Sequence, residues 1–147
     1  MEAARFRRTG IWLLCALIGA TALLYALGFA ADRVLSPACD NAVLSSSPSP
    51  DGRHKLVIFE RSCGAASDFS TQVSLLAAGA ELGHDGGNAL VVDTDHGRAP
   101  AGPGGGPEVH VRWNGAGVAV LSVHPAARVF KFESRVEGGQ LRLARSM

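Results

Sequence analysis

Asp93-Thr94-Asp95-His96-Gly97 sets two carboxylates at alternate positions beside an imidazole. Alternating oxygens ahead of a glycine begin a calcium loop, and carboxylate with imidazole is the pairing that holds a metal or moves a proton. A calcium loop also needs a closing Glu about six residues beyond the glycine, and none stands there. The segment therefore reads first as a strand end followed by a turn. The enzymatic alternative is a periplasmic hydrolase or metal-dependent enzyme with its site around Asp93, Asp95 and His96. The other histidines, His54, His84, His110 and His124, share no spacing, so a zinc site would need three ligands brought together by folding alone. No serine lies in Gly-x-Ser-x-Gly or Ser-x-x-Lys. Gly102-Pro103-Gly104-Gly105-Gly106-Pro107 lacks the Lys-Ser/Thr of a phosphate loop. No motif calls for a cofactor, and the chain is expected not to be an enzyme.

Cys39 and Cys63 are a different matter. Neither belongs to a Cys-x-x-Cys pair, and no histidine stands at ligand spacing from either. Two cysteines in one small domain read as one structural disulfide in an oxidising compartment. It closes a loop of roughly 25 residues, worth about 3 kcal/mol through restriction of the unfolded chain.

That compartment is implied by the uncharged run Ile11 to Ala31, 21 residues long. As a helix it spans roughly 30 Å, the thickness of a bilayer's hydrocarbon core. Arg5, Arg7 and Arg8 precede it, opposed only by Glu2, which holds this end in the cytoplasm and exports the remainder of the chain. A cleaved signal peptide is the rival, with Ala30 and Ala31 as small residues for a peptidase, but its apolar stretch is normally only about 7–15 residues. A lipoprotein cysteine fits worse: Cys15 lies inside the run behind Leu14, and Cys39 is separated from it by Asp32 and Arg33. Trp12 and Tyr25 are interfacial candidates. Ala16 and Ala20, and Ala22, Ala26 and Ala30, have the spacing that lets helices approach, although an Ala-rich run produces it by chance.

From Ser36 onward the chain carries 10 Lys+Arg against 11 Asp+Glu, a net of −1. This excludes a broad basic field for nucleic acid. The Ser- and Pro-rich segment Ser45 to Pro50 reads as a polar hinge, closed by the turn Pro50-Asp51-Gly52. The expected organisation is a cytoplasmic segment 1–10, a transmembrane helix 11–31, a juxtamembrane linker 32–53 and an extracytoplasmic β domain 54–147.

Within that domain period two takes over. His54 to Glu60 is apolar on both faces and reads as a central strand. Phe69, Thr71, Val73 and Leu75 share one face of the next, leaving Ser70, Gln72 and Ser74 as a polar row open to a partner. Asn88 to Thr94 is a third strand, and Asp95 to Pro107 a mobile loop. Glu108 to Trp113 points Val109, Val111 and Trp113 inward, Asn114-Gly115 signals a hairpin, and Gly117 to Val123 returns. Arg128 to Arg135, with Phe130 and Phe132 on one face, and Gln140 to Ala144 complete an expected four-strand meander. The fold class is thus all-β: one N-terminal transmembrane helix plus a small antiparallel β-sandwich or curled sheet of six to seven strands.

Ser49-Pro50-Asp51-Gly52, Glu60-Arg61-Ser62-Cys63-Gly64-Ala65 and Phe69-Ser70-Thr71-Gln72-Val73-Ser74 occur in series. The stretch resembles a set of small bacterial membrane-anchored proteins of unknown function that carry an SPDG turn, E-R-x-C-G-A and F-S-T-Q-V-S. Their usual Thr-Thr is here Ala66-Ser67. The resemblance implies a bacterial membrane-anchored protein and no particular activity; with the apolar run and the Arg cluster, the expected location is the inner membrane. The SPDG turn also occurs in propeller blades, but a single copy excludes a closed propeller. The leading expectation is a module tethered in the lipid by residues 11–31 that binds or assists an envelope protein. A third class is an assembly element acting through the helix itself.

Overall fold

The structure is a computed structural model describing residues 16–28, 39–64, 69–115 and 117–146. The chain divides into two compact units, 1–37 and 38–147.

In the first unit residues 16–28 form a helix. Leu17, Ile18, Leu23, Leu24, Tyr25 and Leu27 are all exposed on it. The Thr21 hydroxyl donates to the carbonyls of Leu17 and Ile18, at 3.1 and 2.9 Å, so its polarity is satisfied within the helix. Among the described residues no helix is long and apolar enough to cross a membrane. The remainder of the run 11–31, with Trp12 and Cys15, lies outside the described residues.

The second unit contains nine described strands in two sheets, where six or seven were expected. They are β1 (Asp40–Pro48), β2 (His54–Ser62), β3 (Ser70–Ala77), β4 (Leu90–Asp93), β5 (Val109–Trp113), β6 (Val118–Val123), β7 (Arg128–Phe132), β8 (Arg135–Val136) and β9 (Gly139–Arg145). One sheet has the order β1-β2-β3-β4-β7, all antiparallel. The other has the order β5-β6-β9-β8.

The expected C-terminal meander is broken by β7. After the β5–β6 hairpin the chain crosses to the first sheet, pairs β7 with β4, and returns through β8, so that β9 lies parallel to β6. A parallel pair requires such a crossover. The hairpin turn spans four residues: Gly117 N–H donates to the Asn114 carbonyl, and Gly117 takes the positive φ.

The sheets meet face to face over one apolar core. Leu56, Ile58, Val73, Leu75, Leu90 and Val92 come from the first, and Val109, Ala119, Leu121, Val123 and Leu141 from the second. Val73, Leu75, Val109 and Leu141 are among the inward positions read from the sequence. Phe130 departs from that pattern. The β4–β7 register shifts so that Val129 faces Val92 and Phe132 faces Leu90, leaving Phe130 as the extra residue of a bulge and exposed.

The polar hinge is also corrected. Residues 40–48, expected in the linker 32–53, form β1, which pairs along its length with β2. The bridge Cys39–Cys63 closes the open end of this hairpin. At the other end Ser49 is buried in the turn. Its hydroxyl accepts the His54 N–H at 3.0 Å and donates to Asp51 Oδ1 at 2.6 Å or to the His54 carbonyl.

Residues 78–89 form a strap over the outer face of the first sheet. Asn41 Nδ2 donates to the carbonyls of Gly83 and Asp85, and Arg61 Nη1 to that of His84. Gly87 N–H donates to Gln72 Oε1, and Asn88 exchanges two hydrogen bonds with the Leu75 backbone. Lys131 Nζ reaches the Gly87 carbonyl from β7. Val57 and Phe59 point away from the second sheet, yet both are buried, which explains why β2 is apolar on both faces.

The strap lies so close that a Cβ on Gly87 would stand 2.7 Å from the Leu90 carbonyl oxygen and 2.9 Å from that of Val73. At Gly79 a Cβ meets nothing within 4 Å. Gly87→Ala is expected to lower the unfolding free energy by about 1–3 kcal/mol, and Gly79→Ala to change it by less than about 0.5 kcal/mol. Denaturant unfolding of the two variants checks this; equal effects would contradict the strap's close contact.

Candidate functional site

The strand that the sequence disguised is the one left open. β1 stands at the edge of its sheet and pairs only with β2 among the described residues. Its nine residues are the longest free edge of the domain: β5 and β7 have five residues each and β8 two. Edges are usually blunted by charge, shortness, proline or a bulge. β5 carries His110 and Arg112, and β7 carries Arg128 and Lys131. β1 has one charge, Asp40 at its first residue, and one proline, Pro48 at its last, and from Asn41 to Pro50 there is no charge. Val43 and Leu44 are exposed apolar residues on this edge, 56% and 43% accessible.

β1 does contain one bulge, and it has a use. The pairing with β2 shifts between Val43 and Ser45, leaving Leu44 as the extra residue. Leu44 and Ser45 both line a cavity of about 270 Å³ between the two sheets, on the side where β1 and β5 are the edges. Ile58, Thr71 and Val109 line its floor, with Gly104 and Pro107, and Glu108 and His110 also border it. At another point along the same side Trp113 Nε1 donates to Ser47 Oγ at 3.1 Å, linking β5 to β1. A bulge that re-aims a side chain beside an open edge makes a slot for an apolar group next to unpaired main-chain donors and acceptors.

The Gly-rich segment 102–107, read as part of a mobile loop, is packed as one wall of this cavity. Gly104, Gly106 and Pro107 are buried, and Ala101 bridges to Pro107. A Cβ at Gly106 would stand 2.6 Å from the Thr71 backbone nitrogen, and one at Gly105, where φ is +84°, 2.8 Å from the Phe69 ring. Absence of side chains is what lets this backbone lie against β3. Phe69, expected on the core face, is half-exposed over Gly105.

The polar row Ser70, Gln72 and Ser74 is not an open face. Gln72 and Ser74 are buried under the strap. Gln72 accepts from Gly87 N–H and donates to Ser70 Oγ, and Ser74 Oγ accepts the Asn88 N–H. The hydrogen-bonding capacity expected for a partner is spent on residues 87–88 of the same chain.

The Asp93–His96 turn is likewise occupied. Asp93 is buried and takes a two-pronged contact from the Arg128 guanidinium, with Nε to Oδ1 at 3.1 Å and Nη2 to Oδ2. Asp95 pairs with Arg98 at 3.0 Å and stands 3.7 Å from Arg128. Asp95 and His96 both have positive φ, 49° and 58°. Among the described residues no three of His, Cys, Asp and Glu come together as metal ligands. Burial favours the protonated Asp93 carboxyl, but the Arg128 guanidinium and the Asp95 N–H outweigh it and hold it below the usual carboxylate range.

A second cavity, about 290 Å³, lies among the turn residues Asp51, Arg53, His54, Gly138 and Gln140. Ser49 and Arg53 hold Asp51 well below the usual carboxylate range, so its charge is already matched. Compared with family models, curated proteins and solved structures, the chain shows no match.

The Asp93–Arg128 pair sets a pH dependence. Since folding depresses the carboxyl, its contribution is full above the ordinary Asp value of about 3.9 and is lost as pH falls through the folded value. Asp93→Asn is expected to cost about 2–3 kcal/mol at neutral pH, less than a fully buried pair because Arg128 is 38% accessible. The gap to the parent chain should narrow below about pH 4. Chemical unfolding at a series of pH values checks it; a gap that widens in acid would contradict the pairing.

Proposed function

We propose that this protein is a single-pass bacterial inner-membrane protein, N-terminus inside, whose exported β domain binds an extended segment of an envelope protein by strand addition to β1. The observation that carries the reading is the edge itself: nine residues, uncharged except for Asp40 at the start, with no second neighbour among the described strands, beside a slot floored by Ile58 and Val109. Main-chain pairing supplies affinity in this mode, and a pocket for alternate side chains supplies specificity. A slot of about 270 Å³ is smaller than most small-molecule sites and suits one or two apolar side chains of an added strand.

The tether rests on the uncharged run 11–31 behind Arg5, Arg7 and Arg8. It is supported by helix 16–28, which is apolar on every side and satisfies its own Thr21 hydroxyl. A helix apolar all round belongs in lipid or a large core. The bridge Cys39–Cys63 suits an oxidising space. The proposal assigns no catalytic chemistry to the domain.

Two measurements test it. A photo-crosslinker at Ser46 in the full chain should give a discrete protein adduct in bacterial cells, lost with Leu44→Lys and absent when the crosslinker stands at Phe130. Equal adducts from both edges, or none from Ser46, would overturn strand addition. Alkaline phosphatase fused after Met147 should be active in the same cells; activity only from a cytoplasmic reporter at that position would overturn the topology.

A further inference from the structure

The net charge of −1 conceals a segregation of cations. Six of the ten cations from Ser36 onward have partners within the domain: Arg53, Arg61, Arg98, Arg128, Lys131 and Arg145 bond carboxylates, carbonyls or a side-chain amide. Four have no hydrogen bond or ion pair among the described residues: Lys55, Arg112, Arg135 and Arg142. The three arginines lie on one surface.

That surface is the outer face of the second sheet. On β5 and β6 the buried Val109, Ala119, Leu121 and Val123 point to the core, so the alternate positions point out. Arg112 stands opposite Val120, and Val120 opposite Arg142, in one cross-strand row. Two strand spacings separate the arginines, roughly 10 Å. Arg135 on β8 faces Gln140, two residues before Arg142 on the same face. All three are exposed. The row between them is neutral: Val118, Val120, Ser122, Gln140 and Ala144. Glu108 stands beyond His110 at one end of the face, 3.9 Å from it, and Glu137 in the β8–β9 turn at the other.

Uncompensated guanidiniums this close repel one another, so they raise the potential of the surface without stabilising the fold. Planar guanidiniums match phosphate oxygens bidentately. We infer that the Arg112–Arg135–Arg142 face docks on the anionic phospholipid headgroups of the bilayer that carries the tether. This rests on the tethered reading above. A chain held at that bilayer meets its headgroups at high effective concentration, and an anionic surface attracts guanidiniums within about a screening length. The half-buried Val120 between two guanidiniums suits a headgroup layer. The strap over the first sheet carries the exposed Glu81 and Asp85, so that face is disfavoured there.

The test reads each arginine separately. The full chain is inserted into vesicles of phosphatidylcholine, with or without phosphatidylglycerol, and modified with phenylglyoxal; mass spectrometry tracks each arginine. Arg112, Arg135 and Arg142 should react about five-fold more slowly with phosphatidylglycerol present, Arg98 at the same rate, and the protection should vanish in about 1 M salt, where the screening length falls to about 3 Å. Equal rates in a chain that does insert overturn the docking and leave the tether standing. A chain that inserts into neither vesicle overturns both. Protection that needs another envelope component assigns the face to a different anion and overturns the lipid assignment.

Discussion

One covalent bridge holds the strand on which the proposed function depends. β1 has a neighbour on one side only, and seven of its nine residues are exposed. It buries little surface, so in water it belongs with the elements of a fold that open first. Its attachments are the ladder to β2, the Asn41 contact with the strap, the Trp113–Ser47 hydrogen bond and Cys39–Cys63. The last is the only one that water cannot replace. The bridge also sits where the domain begins in sequence, between the first unit and β1. On the proposed reading, compartment, tether and open edge are thereby linked: the edge keeps its register where thiols are oxidised.

The two sheets are treated differently. The middle of the five-stranded sheet, at β2 and β3, is covered on both faces, by the core on one and by the strap on the other. Its buried Gln72 and Ser74 are hydrogen-bonded to the strap backbone, and half-buried Asn88 of the strap to that of Leu75, which offsets the cost of burying them. The four-stranded sheet keeps a solvated outer face, and there the unpaired arginines collect. The proposed strand-addition edge and the cationic face can coexist because the strap uses up the polar surface that would otherwise compete with both.

Periodicity made much of the fold legible in the sequence. β2, β3, β4 and the β5–β6 hairpin alternate, or run apolar, over enough residues to be read directly, and cysteine parity supplied the bridge. β1 was illegible because an edge strand with both faces near solvent has no alternation to show; Ser45-Ser46-Ser47-Pro48 looks the same in a hinge. The only signal for the edge was the missing charge from Asn41 to Pro50. The sheet exchange of β7 lay beyond local pattern, since the bulge at Phe130 and the crossover are properties of long-range pairing. The row Ser70, Gln72 and Ser74 was correctly polar but not free, because nothing local shows that residues 78–89 fold back over it. Arg112 and Arg142 become neighbours only once β9 lies beside β6.

Residue-resolved amide exchange of the full chain in detergent, before and after reduction of Cys39–Cys63, weighs the bridge itself. If it holds β1, reduction speeds exchange of the residue 41–47 amides bonded to β2 by about a hundredfold, the equivalent of the ~3 kcal/mol expected for a loop of this length. The strap amides should loosen with them, while β6 and β9 keep their protection. Unchanged protection of residues 41–47 in the reduced chain would contradict this account.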